Sequence, residues 1–97
     1  KIYWFSLSYN PNAIHILEQN LDKVDWYFLS GNPNAIHIIE QNLDKLNEYC
    51  WKNLSENPNA IHILEKNLNS ILALGSFAWK SAISALVENG YEISRGY

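Results

Sequence analysis

The sequence predicts an all-α fold, a short α-solenoid of helix-turn-helix repeats of about 22–25 residues each that ends in a C-terminal capping helix. Two observations predict it. The segment Asn-Pro-Asn-Ala-Ile-His occurs three times, beginning at Asn10, Asn32 and Asn57, so that successive copies are 22 and 25 residues apart. Apolar residues recur within each copy at the spacing of a helix. A fixed period of about 20 to 50 residues is the sequence signature of stacked repeats.

These repeats divide the chain into a single repeat domain, residues 1–97. The parts are the second half of a repeat (1–9), two whole repeats (10–31 and 32–56), the first part of a further repeat (57–75), and a capping helix with a tail (76–97). Because the chain opens inside a repeat and no capping segment comes before it, we expect it to be part of a longer chain.

The first helix of each repeat is predicted to begin at the Asn-Pro pair. Asn is a preferred N-cap, and Pro is tolerated at the first helical position because its missing N–H has no intrahelical partner there. On a helical wheel the apolar residues Ala13, Ile14, Ile16 and Leu17 share one face. Asn20 is expected to end this helix in a left-handed conformation.

A second, shorter helix is predicted to follow in each repeat, with Asp22, Asp44 and Asn69 as its N-caps. The third connector contains three additional residues at 46–48, almost one helical turn, which a helix can absorb. Each second helix carries a Trp and a Leu three residues apart, at Trp4 and Leu7, Trp26 and Leu29, and Trp51 and Leu54.

The fixed spacing of Trp and Leu predicts that the three Trp side chains lie in the core. The alternative, exposed rings that stack on bases or sugars, is less favoured. Residues next to each Trp vary in polarity, as expected of a solvent-facing side. Phe5, Tyr27 and Phe28 at these positions are therefore expected to form an exposed aromatic patch, and such patches often mark interfaces.

The C-terminal segment departs from the repeat and predicts a longer helix that seals the stack. Ser76 is its expected N-cap, and Asn89 with Gly90 is a strong helix stop. Its apolar face is expected to comprise Phe77, Trp79, Ala82, Ile83, Leu86 and Val87.

Composition excludes several classes of function. The net charge is −3 and the seven Lys and Arg residues are scattered, whereas nucleic-acid binding needs a concentrated basic surface. No apolar run approaches the roughly 20 residues that span a bilayer. Cys50 has no second cysteine to pair with and fits a structural thiol or a reducing compartment. Without a phosphate loop or a nucleophile elbow, we expect no enzyme and no cofactor.

The repeat W-x-x-L-S-x-N-P-N-A-I-H, with a following L-E-x-N, resembles the short Asn-rich repeats of proteins from giant nucleocytoplasmic large DNA viruses. The resemblance covers roughly residues 2–70 and does not extend over 71–97. It implies a viral protein with an intracellular location, in the host cytoplasm or the virion. It implies little about activity, because the family is largely uncharacterised.

The three histidines, His15, His37 and His62, raise the hypothesis of a metal site. Each has a Glu three residues later on the same helical face. Stacked helices, however, lie about 8–10 Å apart, and zinc needs ligands that converge at about 2.1 Å. We therefore expect no metal site and favour a His–Glu pair or a His–backbone bond within each turn. A metal protein or small enzyme that uses these His and Glu side chains is the disfavoured alternative.

The favoured functional hypothesis is a periodic polar stripe on the first helices that binds an extended protein partner, for example a basic peptide. Recent duplication is the alternative reason for the identity of these positions, although the connectors have diverged more than the first helices. The stripe comprises Asn12, His15, Glu18, Gln19, Asn34, His37, Glu40, Gln41, Asn59, His62, Glu65 and Lys66.

The predicted function is therefore a non-enzymatic repeat scaffold that mediates protein–protein interaction. The alternative is a structural assembly or virion component that packs, or associates with itself, through its open N-terminal repeat end.

Overall fold

The computed structural model describes residues 1–74 and 77–92, and all regular structure within these ranges is helical. The all-α prediction is confirmed. Within the same ranges, no helix combines the length and apolar character needed to cross a membrane. The α-helices are α1 (Trp4–Ser8), α2 (Ile14–Glu18), α3 (Trp26–Ser30), α4 (Ile36–Glu40), α5 (Glu48–Ser55), α6 (Ile61–Lys66), α7 (Leu68–Ala73) and α8 (Ala78–Glu88), and a 3-10 turn spans Leu43–Lys45.

The Trp-bearing helices pack in a row, in which α1 contacts α3, α3 contacts α5, and α5 contacts α8. One cluster of buried side chains runs along this row, and the chain measures 53 × 23 × 19 Å along its principal axes. The prediction that the Trp side chains belong to the core is confirmed for Trp51, which is buried, and in part for Trp4 and Trp26, which are half-buried against the same cluster.

The Asn-Pro pair begins a turn, and the prediction that it begins a helix is wrong. In the first repeat, Ala13 N donates to Asn10 O over 3.1 Å, and α2 begins only at Ile14. The side chain of Asn10 accepts a 2.9 Å hydrogen bond from Asn12 N. This bond between an Asn side chain and the backbone two residues on, with Pro at the second turn position, favours a tight turn over a helical start.

The Asn that follows each first helix acts through its side chain, and the left-handed conformation predicted for Asn20 is wrong. Within the described residues, no residue other than glycine has a positive φ. Asn20 instead donates its carboxamide to Ile16 O over 2.9 Å, and Asn42 and Asn67 make equivalent bonds. The carbonyls of Ile16 and Ile63 also accept a backbone N–H, from Gln19 and Asn67, so the carboxamide adds a second hydrogen bond at the helix C-terminus.

The N-caps of the Trp-bearing helices are Asp25 and Asn47, and the predicted caps Asp22, Asp44 and Asn69 are wrong. Asp25 accepts hydrogen bonds from the backbone of the next helix, and Asn47 accepts one from Cys50 N at 3.0 Å. Asp22 and Asp44 lie three residues before the caps of α3 and α5 and are too distant from these helices. Asn69 lies inside α7, whose N-cap position is Asn67. The additional residues of the third connector lengthen α5 to eight residues, against five for α1 and α3, as predicted.

Helix α8 packs against α5, α6 and α7 through a face made mainly of alanine. Phe77 and Val87, predicted to lie on this face, are 40% and 55% exposed, so the prediction is wrong for these two. Small side chains allow close approach, and the larger residues at the margins remain in solvent. The predicted N-cap, Ser76, lies outside the described residues. The buried face consists of Ala78, Ala82, Ala85 and Leu86, with Trp79 and Ile83 half-buried beside it.

The predicted stop at Asn89 and Gly90 is confirmed. Gly90 has a φ of +87°, the left-handed conformation that glycine adopts without steric cost. Tyr91 N then donates to Leu86 O over 3.0 Å, and Gly90 N donates to Val87 O over 3.1 Å. This is the Schellman arrangement that closes a helix C-terminus.

Candidate functional site

A buried asparagine joins each repeat to the one before it. Asn32 is 0% exposed, and its Nδ2 donates to two backbone carbonyls at the start of the preceding Asn-Pro-Asn turn, Ser8 O at 2.9 Å and Asn10 O at 3.0 Å. Its Oδ1 accepts a 3.0 Å bond from Asn34 N. Every polar atom of this carboxamide is therefore satisfied without water.

The next junction repeats this arrangement. Asn57 is 2% exposed, and its Nδ2 donates to Ser30 O and Asn32 O, both at 3.0 Å. Its Oδ1 accepts a 3.1 Å bond from Asn59 N. Sequence reasoning expected these asparagines to cap backbone groups, and the structure adds that the groups belong to the neighbouring repeat.

A second asparagine in each motif bridges the same junctions at the surface. Asn34 Nδ2 donates to Pro11 O at 2.9 Å, and Asn59 Nδ2 donates to Pro33 O at 2.8 Å. The turns at Asn32 and Asn57 thus each deliver two carboxamides to three carbonyls, which lie in or just before the preceding Asn-Pro-Asn turn. Within the described residues, no turn precedes Asn10, and neither set of bridges includes its carboxamide.

The His–Glu pairs also cross the junctions, so the expected pairing within one helix is wrong. His37 Nε2 lies 2.5 Å from Glu18 Oε1, and His62 Nε2 lies 3.3 Å from Glu40 Oε1. Stacking places the Glu of one first helix beside the His of the next. All four side chains are 40% exposed or more, so solvent screening limits each pair to about 0–1 kcal/mol.

Glu65 is the last carboxylate of this series, and no further repeat supplies a histidine to pair with it. Tyr91 interacts with Glu65 instead. The Glu65 carboxylate, through a hydrogen bond and its negative charge, raises the pKa of Tyr91. The residue follows α8, so the sequence pattern of the repeats contained no signal for it.

The structure places all twelve residues of the polar stripe at the surface. Six of them are engaged in bridges between repeats, which is a structural role that the sequence did not reveal. In the described part of the chain, the side chains of Gln19, Gln41 and Lys66 make no hydrogen bond. The stripe as a partner-binding site stays a prediction. The bridging six are Glu18, Asn34, His37, Glu40, Asn59 and His62.

Residues 1–74 and 77–92 contain no group of three or more His, Cys, Asp or Glu side chains that could hold a metal ion. His37 and His62 each face one carboxylate of the neighbouring repeat. A single carboxylate and a single imidazole are fewer ligands than a tight zinc site requires.

Cys50 lies in the core, against the Ser30 hydroxyl of the neighbouring Trp-bearing helix. Burial raises the pKa of its thiol, the largest of several effects. The thiol is therefore the favoured form at neutral pH, and a thiol is a much weaker nucleophile than a thiolate. This geometry suits a packing residue.

The aromatic patch predicted from Phe5, Tyr27 and Phe28 is present, with Phe28 half-buried and the other two exposed, and it contains more rings than expected. Tyr3 and Tyr9 join it, although they occupy other positions of the repeat and no periodic signal marked them. Ring centroids are 5.8 Å apart for Phe5 and Phe28, 5.2 Å for Tyr27 and Phe28, 6.0 Å for Tyr3 and Phe5, and 6.5 Å for Tyr9 and Phe28. We call these five residues the aromatic face.

A groove of about 470 Å³ separates the third Asn-Pro-Asn turn from α8. One wall is the segment from Ser55 to Pro58, with Ile61. The other wall is the side of α8 that carries Lys80, Ser81, Ser84, Ala85, Glu88 and Asn89. We call it the C-terminal groove.

Comparison with protein-family models, curated proteins and solved structures finds no match for this chain. Its function is therefore inferred from its own residues and contacts.

Proposed function

We propose that the chain is a segment of an α-solenoid, capped by α8, and that it acts as a non-enzymatic scaffold for protein–protein interaction. The aromatic face carries the proposal. Four of its rings, Tyr3, Phe5, Tyr9 and Tyr27, are between 45% and 57% exposed and contact Phe28 or one another.

The solenoid part of the proposal is supported by the junctions. The same bonds, from a buried Asn, a surface Asn and a His, join the first repeat to the second and the second to the third. Each repeat then interacts mainly with its immediate neighbours, which is the organisation of a solenoid. An identical set of bonds also gives each added repeat the same offset from the last.

The interaction part of the proposal is supported by the cost of exposed apolar area. Removing such area from water is favourable by roughly 25 cal/mol per Å², and a partner that covers several adjacent rings gains this energy. Tyr and Phe are also enriched at the centres of protein interfaces. Rings held against each other, as in the aromatic face, lose little side-chain freedom on binding.

The polar stripe is the second candidate surface for the partner. Two of its three carboxylates, Glu18 and Glu40, already pair with histidines, which reduces their capacity to bind a basic peptide. In the described part of the chain, the stripe side chains that make no hydrogen bond are those of Asn12, His15, Gln19, Gln41 and Lys66. We therefore place the main contact on the aromatic face.

Site-specific photocrosslinking in the native source tests this assignment. A benzophenone amino acid replaces Tyr27 on the aromatic face, Gln41 on the stripe, or, as a matched control, the exposed Asp44. We expect a defined crosslinked protein from position 27 and background labelling from position 44. Crosslinks from position 41 alone would place the interface on the stripe. Background labelling from positions 27 and 41 alike would contradict the scaffold function.

A structural assembly role is the second candidate function, and the N-terminal end favours it. Ile2 and Ile16 are exposed there, beside a carboxamide of Asn10 that donates to no repeat in the described residues. Sedimentation at increasing concentration tests the role. Association that Ile16→Asp abolishes would support it, and a strict monomer at high concentration would contradict it.

A viral source, and a place in the virion or the host cytoplasm, are also part of this proposal. They are supported by the repeat motif. Mass spectrometry of purified particles and of infected-cell cytoplasm tests both locations.

A further inference from the structure

The C-terminal groove is lined by residues whose counterparts at both earlier junctions accept hydrogen bonds through their carbonyls. There, the buried Asn of the following repeat donates to the carbonyls of a Ser and of an Asn two residues later, over 2.9–3.0 Å. At the third Asn-Pro-Asn turn the corresponding carbonyls belong to Ser55 and Asn57, and both residues line the groove. In the described part of the chain, no side chain donates to either of them.

The Pro carbonyl of each Asn-Pro-Asn turn is the third acceptor used at the earlier junctions. At the earlier junctions the second Asn of each turn donates to the carbonyl of the preceding Pro, at 2.9 Å for Pro11 and 2.8 Å for Pro33. The corresponding residue of the third repeat is Pro58, which also lines the groove. Three residues whose counterparts accept these hydrogen bonds through their carbonyls therefore line one open space.

We propose that the C-terminal groove binds an Asn-Pro-Asn turn of a partner protein. The first carboxamide of that turn donates to the carbonyls of Ser55 and Asn57, and the second donates to the carbonyl of Pro58. This inference rests on the proposed function as an interaction scaffold and specifies the chemistry of one partner.

The donor geometry selects a carboxamide. A single Nδ2 carries two hydrogens, which fit two carbonyls two residues apart, and its Oδ1 remains free to accept a backbone N–H. An Asp at the same place presents only acceptors to these carbonyls and is repelled. The turn itself orients the first carboxamide, because all three copies in this chain hold Oδ1 2.9–3.1 Å from the backbone nitrogen two residues on.

The walls of the groove fit an occupant of this size. Its volume of about 470 Å³ lies within the range of about 300–1,000 Å³ that is typical of ligand pockets. Helix α8 lines it with the small residues Ser81, Ser84 and Ala85, which leave room beside the carbonyls. Lys80 and Glu88, on the same helix, give the rim both signs of charge.

Helix α8 also determines that a turn, rather than a whole repeat, enters the groove. It packs against α5, where the row of Trp-bearing helices would otherwise continue. A complete repeat in trans would need that same position for its own Trp-bearing helix. A segment limited to the Asn-Pro-Asn turn avoids the overlap.

A peptide titration tests the proposal. The probe is the acetylated, amidated hexapeptide Ser-Gly-Asn-Pro-Asn-Ala, the sequence of residues 30–35, added to the full ¹⁵N-labelled chain. We expect saturable shifts confined to the amides of 55–61 and of α8. A peptide with both Asn replaced by Asp should bind at least about tenfold more weakly, because it loses several hydrogen bonds.

A pair of protein variants separates the groove from the rest of the surface. Ser84→Tyr fills the groove and should weaken binding at least about tenfold, whereas Ser70→Tyr, at an exposed site of α7 outside the groove, should leave it unchanged. Circular dichroism verifies that both variants fold.

The proposal is overturned if the shifts are absent at millimolar peptide, if the Asp peptide binds equally well, or if Ser84→Tyr has no effect. Such a result leaves crosslinking from the aromatic face unaffected. Loss of those crosslinks with retained peptide binding would instead contradict the proposed interaction through the aromatic face.

Discussion

The junctions between repeats and the junction between the third repeat and α8 are built from different interactions. Between repeats, buried carboxamides bind defined carbonyls, as Asn32 and Asn57 do. Against α8, the contact consists mainly of alanines and Leu86, and no side chain of the described residues donates to the carbonyls of Ser55 and Asn57.

This difference teaches what each kind of contact contributes. Apolar burial stabilises without direction, so an alanine-rich helix can end the row without matching the repeat. A buried hydrogen bond is weakly stabilising when made and costly when lost, which makes it suited to determining register. The asparagines therefore position one repeat on the next, and α8 covers the last.

The largest effect is expected where α8 packs. Leu86 is 1% exposed, and Leu86→Ala should lower the free energy of unfolding by about 3 kcal/mol, since it removes buried methyl groups and leaves a cavity. Val87→Ala, at an exposed neighbouring position, is the control and should cost less than about 1 kcal/mol. Urea denaturation measures both. Equal losses would contradict the assigned face of α8.

A somewhat smaller loss is expected at the repeat junction. Asn57→Ala should cost about 2 kcal/mol, because the backbone groups that its carboxamide binds are left without partners in a buried place. Asn10→Ala removes the same residue of the motif at an exposed turn and should cost about 0.5–1 kcal/mol. Thermal unfolding of the two variants compares them, and an equal cost would show that the bridge adds no stability.

The smallest effect concerns the direction of the His–Glu pairs. A double-mutant cycle between His37 and Glu18 should give a coupling of about 0.5 kcal/mol that decreases with added salt, since the pair is exposed. The cycle between His15 and Glu18, which share a helix, should give no greater coupling than background. A larger coupling for His15 and Glu18 than for His37 and Glu18 would show that the pairing occurs within one helix.

Local features were the ones that sequence reasoning could predict. The helix stop at Gly90 and the added turn in α5 follow from the residues beside them, and the surface position of the polar stripe follows from its helical period. Errors arose at the element boundaries. The cap Asp25 was missed because the start of its helix was placed too early, and the Asn-Pro pair was assigned to a helix because a turn and a helical start favour the same two residues.

The sequence by itself determined the period, the helices and which face of each first helix is apolar, because these depend on residues within a few positions of one another. Only the tertiary structure decided the roles of identical residues. Asn10, Asn32 and Asn57 begin the same motif, yet Asn10 is exposed whereas the other two are buried and bridge repeats. Burial and bridging depend on a neighbouring repeat more than 20 residues away in the chain, and the motif does not encode which of its copies has one packed against it.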